Sequence, residues 1–152
     1  MSEVLLFSDL HCHCHKRNAE RLEDCLKALN WVFETARKRG IKSILFGGDL
    51  FHDRQKIDVF TYQKTYDVLY ENLIKEEFDL YVLLGNHDLW YNDKTNVSSV
   101  TPLKALPGVK IIDEPCRLKI ENHYWDFIPF THNPVNALSS LDSQQGERGA
   151  NL

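Results

Sequence analysis

Three short apolar runs end abruptly in clusters of glycine and polar residues. This repeated boundary constrains the fold more than any other feature of the chain. The runs are Val4-Leu5-Leu6-Phe7, Ser43-Ile44-Leu45-Phe46 and Leu80-Tyr81-Val82-Leu83-Leu84. The clusters that follow them are Ser8-Asp9-Leu10-His11, Gly47-Gly48-Asp49-Leu50-Phe51-His52-Asp53-Arg54 and Gly85-Asn86-His87-Asp88. Apolar runs of this length, without polar alternation, read as strands buried on both faces of a parallel sheet. The stretches between them carry the helical period. Over residues 18–39, Leu22, Leu26, Leu29, Phe33 and Ala36 recur at three- and four-residue steps. Asn18 suits the N-cap and Gly40 the position after the last turn. Over residues 58–75, Val59, Tyr62, Tyr66, Leu69 and Leu73 form a second stripe, whose aromatic content fits core. The result is a β-α-β-α-β unit of α/β class, its three strands made parallel by right-handed crossovers. All three polar clusters then fall at the carboxyl ends of the strands, the edge where open α/β sheets bind ligands.

The character changes after Asp88. Residues 89–101 are polar and aromatic and read as a loop over that edge, and 102–106 as a short helix. Residues 109–112, 116–120 and 124–128 read as three short strands. Asp113-Glu114-Pro115 and Glu121-Asn122-His123 supply the turns between them. Residues 139–152 are polar with glycines and read as a loop.

A length of 152 residues allows one domain with a real core. The net charge of -4 offers no global basic field. That argues only weakly against a nucleic-acid partner, because divalent cations would supply positive charge locally. No apolar run approaches the ~20 residues of a membrane span, and Met1-Ser2-Glu3 is not the basic start of a signal peptide. The four cysteines show neither CxxC pairing nor a disulfide framework, so the expected setting is reduced and cytoplasmic.

The clusters carry metal-ligand chemistry. Asp9 and His11 are two residues apart, so extended chain would present them on one side. A carboxylate with an imidazole suits Mn, Fe, Co or Zn. Asp49 follows two glycines that permit a tight turn, and its carboxylate could bridge two ions ~3.5–4 Å apart. Asn86 offers a neutral oxygen to the second ion. His87 beside it can serve as acid or hydrogen-bond donor, with Asp88 or Asp53 to orient its ring. His13 and His15 would share a face with His11, either as further ligands or as loop histidines. Cys12 and Cys14 would turn away as small buried groups. Arg37, Lys38 and Arg39 crowd a helix end, as a solvated terminus or as a phosphate-contacting patch.

At these three clusters the chain resembles the calcineurin-like metallophosphoesterase superfamily, whose signature runs Asp-x-His, Gly-Asp, then Gly-Asn-His-Asp or Glu. Ser8-Asp9-Leu10-His11 with Gly48-Asp49-Leu50-Phe51-His52 is most similar to the SbcD-type exonuclease subunits, including phage versions. The resemblance covers residues 3–90, with weaker support to 130. It implies a helix-flanked two-sheet sandwich and two divalent ions, commonly manganese. It makes Asp9 and His11 ligands of the first ion, Asp49 the bridge, Asn86 a ligand of the second, His87 the catalytic histidine and His52 a supporting one. The family's later Gly-His and Gly-His-x-His motifs do not occur, and no glycine here is directly followed by histidine. Residues 1–152 therefore read as the N-terminal part of one metallophosphoesterase domain, truncated before those motifs.

The resemblance implies a metal-dependent phosphodiester hydrolase acting on DNA ends, with an SbcC-type ATPase subunit or a second copy as partner. Two other functions fit the same residues. One is hydrolysis of small phosphate esters, and the other is a non-catalytic metal-binding scaffold that keeps half a site.

Overall fold

The computed structural model describes residues 3–16, 18–92 and 94–148. Four parallel strands, β1 (Val4–Phe7), β2 (Ser43–Phe46), β3 (Asp79–Leu83) and β4 (Val109–Ile112), form one sheet in the order β1-β2-β3-β4. Helix α1 (Glu20–Arg39) links β1 to β2, and α2 (Val59–Lys75) links β2 to β3. Strands that advance in one direction with right-handed crossovers put both helices on the same face. Strand periodicity divides the core accordingly. Ile44, Phe46, Leu80 and Val82 join Leu29, Phe33, Leu69 and Leu73 of the helices in one apolar cluster. Their neighbours Leu45 and Tyr81 point the other way. There they meet Ile120 and Phe127 of an antiparallel pair, β5 (Cys116–Ile120) and β6 (His123–Phe127). The molecule is thus a mixed α/β structure with a parallel four-stranded sheet between a helical layer and a small second sheet.

The expected helices and first three strands form within one or two residues of their sequence boundaries. Asp58 caps α2, accepting from the Thr61 backbone N–H at 2.9 Å. Gly40 ends α1 at φ 67°. The other end of α1 differs from expectation, because Ala19 occupies the cap. Asn18 still serves that terminus from one residue further out, accepting from the Glu20 N–H at 2.9 Å.

Two findings in the second half go beyond the sequence reading. The strand expected at 109–112 is β4, and it pairs with β3 in the parallel sheet. The connection before it buries Leu84, Leu89, Val100, Leu103 and Leu106 in the helical-side core, with a 3-10 turn at Thr101–Ala105. That burial on the helical side carries the chain back to run alongside β3. The expected loop at 139–152 is overturned for its described part, which lies in helix α3 (Pro134–Arg148). Asn133 accepts from the Asn136 N–H, Pro134 opens the first turn, and Ala137 and Leu141, one turn apart, are buried. Val135 and Leu138 of the same helix are exposed, so it docks through one narrow face. Residues 149–152 lie outside the described ones.

The basic triplet ends α1 and so sits by the amino ends of the strands, away from the glycine-rich clusters. Arg37 donates to Asn72 Oδ1 at 2.6 Å, and Arg39 forms a two-bond pair with Glu3. It is a tied helix terminus. No described helix is long and apolar enough to cross a membrane.

Candidate metal centre at the carboxyl edge of the sheet

Parallel pairing continues past the ends of β1 and β2. Gly47 N–H donates to Phe7 O at 2.8 Å, Asp9 N–H to Gly48 O at 3.0 Å, His11 N–H to Asp49 O at 3.0 Å and Cys12 N–H to Leu50 O at 2.8 Å. Within this zipper Asp9, His11 and Asp49 take left-handed backbone, at φ 59°, 48° and 62°. Asp and His are among the side-chain-bearing residues that tolerate it best. Asp9 and His11 are therefore not presented by a pleat, as extended chain would do. Two left-handed residues with one between them bring their side chains to the same place.

Gly48 and Gly85 let the β2 and β3 loops touch. Gly48 lies at φ 102°, and a Cβ there would come within 2.4 Å of the Gly85 nitrogen. A Cβ on Gly85 would come within 2.2 Å of Asp49 Oδ1. The two carboxylates at this contact hold the loops reciprocally. Asp49 Oδ1 accepts from the His87 N–H at 2.8 Å. Asp88, 1% exposed, accepts from the Asp49 and Gly85 N–H groups at 2.7 and 2.9 Å and from the Leu50 N–H at 3.0 Å. Burial pushes the Asp88 carboxyl up from the ordinary range, and these three hydrogen bonds oppose the shift.

Around Asp49 the ligand atoms converge. His11 Nε2 lies 3.7 Å from Asp9 Oδ1 and 3.8 Å from Asp49 Oδ2. One ligand atom from each of His11, Asp49 and His87 lies within 4.8 Å of the others. These separations are too long for hydrogen bonds. Two ligands each about 2.1 Å from one ion lie at most roughly 4.2 Å apart, so an ion fits between His11 and either carboxylate. Nδ1 of His11 is buried without a hydrogen-bond partner. The ring thus takes its position from packing and turns its other nitrogen to the carboxylates. An imidazole and two carboxylates around such a gap fit a divalent transition-metal ion. The Asp49 side chain is 12% exposed, whereas the Asp9 side chain is 65% exposed. Asn86 is half-buried between Gly85 and His87, each of which meets Asp49.

The histidines form a stack beside this gap. The His52 ring lies 4.4 Å from His13, 5.8 Å from His87 and 5.6 Å from His11, centre to centre. Partial desolvation, then the charge of His13, holds His52 below the ordinary imidazole range, with Asp53 opposing. The orienting group for His87 is neither Asp88 nor Asp53. Nδ1 of His87 lies 2.5 Å from the His52 carbonyl oxygen. A carbonyl only accepts, so Nδ1 carries a proton, and the neutral ring leaves Nε2 as an acceptor. Sequence reading missed this contact because a backbone carbonyl leaves no trace in residue types. The expected direction of Asp88 fails for a simpler reason: it follows His87 immediately and its side chain turns into the core.

His13 and His15 stand outside the ligand group among the described residues. His13 Nδ1 bonds the His11 carbonyl at 2.7 Å, and His15 is exposed. Cys12 is buried and Cys14 half-buried, as their alternation suggests, and all four cysteines are free.

Comparison with known proteins agrees with this geometry. Residues 2–144 match the family model described as calcineurin-like phosphoesterase. The chain is also similar to "Exonuclease subunit 1" of Enterobacteria phage T4, 27% identical over 106 residues. That alignment covers 69% of this chain and 31% of the phage protein, so the chain spans about a third of the length of the relative it matches. Three strand ends that bring Asp9, His11, Asp49 and His87 together, with a family match over nearly the whole sequence, make this chain a member of the calcineurin-like phosphoesterase family.

Proposed function

We propose that the protein is a metal-dependent phosphodiester hydrolase acting on DNA, a nuclease subunit of SbcD type. The observation that carries this reading is the convergence of His11, Asp49 and His87 within 4.8 Å at the carboxyl edge of the sheet. The similarity to a phage exonuclease subunit favours DNA over small esters. In this reading Asp9, His11, Asp49 and Asn86 would hold two divalent ions, manganese first, with Asp49 serving both. When bound, the ions supply neutralisation of phosphoryl charge and an acidified water. Asp49 is fixed for its role by the His87 N–H, and the β2 loop that carries it is fixed by Asp88. His87, aimed by the His52 carbonyl, presents Nε2 to the substrate. Once that nitrogen is also protonated, the ring can donate to the leaving oxygen. His52 supports the ring by its carbonyl and by stacking. A subunit of this type implies an SbcC-type ATPase or a second copy as partner.

The test is hydrolysis of linear DNA and of bis-p-nitrophenyl phosphate with Mn²⁺, Fe²⁺, Co²⁺ or Zn²⁺, alongside Asp49→Ala. We expect Mn²⁺-dependent DNA cleavage, weaker turnover of the small diester, and neither in the variant. Good hydrolysis of small esters with DNA left intact would replace the nuclease reading with the small-ester one. Cleavage of nothing with any of the four ions would favour the scaffold.

A further inference from the structure

Two segments leave the metal centre side by side. His52 leads into residues 53–56, and His87 into residues 88–92. They are joined by a hydrogen bond from Arg54 Nη1 to Asn92 Oδ1 at 2.8 Å. The second segment turns back on itself as a built loop. Trp90 N–H donates to Val97 O at 3.1 Å and Ser99 N–H to Asp88 O at 2.9 Å, over buried Leu89 and Val100. Between the segments lies an open cavity of about 610 Å³, lined by Asp53, Arg54, Gln55, Lys56 and Trp90.

The lining is unusual for a surface loop. Trp90 is 48% exposed and Tyr91, the next residue, 44%. The loop is anchored by Leu89, so the fold does not need an indole at the rim. The charged lining groups are one acid and two bases, a net charge of +1 on a chain whose total is -4. An aromatic plane beside two cations suits neither a purely apolar ligand nor a bare phosphate. It suits a nucleotide, whose base has a π-face and whose phosphate is anionic. Trp90 is three residues from His87, so their Cα atoms are at most about 11 Å apart. A base on the indole and a phosphodiester at the metal centre can belong to one short strand.

Building on the nuclease reading above, we propose that this cavity is a nucleobase subsite for single-stranded DNA. A base stacks on Trp90, and Lys56 and Arg54 hold the adjoining phosphate. A base inside a duplex has both faces covered, so the subsite selects unpaired or frayed ends. Stacking tolerates every base, so it selects strand state and not sequence.

The test is binding, read by fluorescence anisotropy in EDTA so that nothing is cut. The probes are a short oligothymidylate and an abasic oligomer of the same length and charge. We expect the wild type to prefer the oligothymidylate. Trp90→Ala should lower its affinity roughly 5- to 150-fold and leave the abasic oligomer unaffected. Trp90→Phe should keep most of the preference. Lys56→Ala should weaken both probes alike and flatten the salt dependence. The proposal is overturned if the wild type binds the two probes equally or binds neither. It is also overturned if Trp90→Ala changes both alike or neither, or if Trp90→Phe loses as much as Trp90→Ala. Mn²⁺-dependent cleavage run in parallel separates the two readings. Trp90-dependent binding without DNA cleavage would remove the nuclease assignment and leave the subsite. Cleavage with binding indifferent to Trp90 would remove the subsite alone.

Discussion

Asp88 and His87 are neighbours in sequence with opposite tasks. Asp88 turns inward and satisfies three backbone N–H groups from both loops of the site. Removing it leaves those donors unpaired inside the protein, at about 1–3 kcal/mol for each. Asp88→Ala is therefore expected to lower unfolding free energy in urea by roughly 3 kcal/mol or more. Asp88→Asn, which keeps one acceptor oxygen, should cost less. A loss for the alanine variant of under about 1 kcal/mol, the net value of one ordinary hydrogen bond, would show that the clamp is unimportant. His87 turns outward and is aimed by a carbonyl. If it moves a proton and does not hold the ion, His87→Ala should cut turnover ~10²–10⁴-fold. Its Mn²⁺ affinity by calorimetry should then change by less than the roughly tenfold that loss of even an outer-shell partner costs. A larger loss of affinity would make His87 a ligand. At this scale the sequence marks residues that the structure brings to one edge, because Asp, His and Asn after buried runs have few other reasons to cluster. Their directions are hidden, because Asp9, His11 and Asp49 leave the extended region where side chains alternate predictably.

Elements were legible in proportion to their periodicity. The apolar stripes of α1 and α2 and the unbroken runs of β1, β2 and β3 repeat often enough to stand out. The α3 helix buries Ala137 and Leu141 but leaves Val135 and Leu138 exposed, so its apolar residues mark no clear period. Capping shows how local chemistry sets an element's edge. Asp58 accepts from both the hydroxyl and the N–H of Thr61, and these bonds hold its carboxyl below the ordinary range. A depressed carboxylate contributes stability that is present above its unfolded value and lost as pH falls through the folded one. Asp58→Ala should thus cost about 0.5–2 kcal/mol near neutrality. The gap between variant and wild type should narrow in acid, below the ordinary carboxylate range. Thermal unfolding of both proteins across that range measures it. A gap constant with pH would mean that the charged form adds nothing to the cap.

For the whole molecule, the candidate metal centre is a set of side chains from three strand ends that approach only after the sheet forms. A cation that binds this arrangement and not the unfolded chain must stabilise the fold. At a free concentration one hundred times its dissociation constant, Mn²⁺ should add ~2.7 kcal/mol, read as a rise in melting temperature that a chelator reverses. Asp49→Ala should melt at a temperature indifferent to Mn²⁺. A shift that persists in this variant would place the ion elsewhere.

The sequence by itself determined the α/β class, the two crossover helices, the parallel direction of the first three strands and the residue types gathered at their carboxyl ends. Hydrophobic period and chain direction are local properties, and local properties are written in the residues. The tertiary structure decided that β4 joins the parallel sheet and that α3 is a helix. It also decided that Asp88 is a clamp, that the His52 carbonyl aims His87, and that Trp90 shares a cavity with residues 53–56. Each of these depends on a contact between residues distant along the chain or on a backbone atom common to every residue. Neither leaves a pattern in the order of the amino acids.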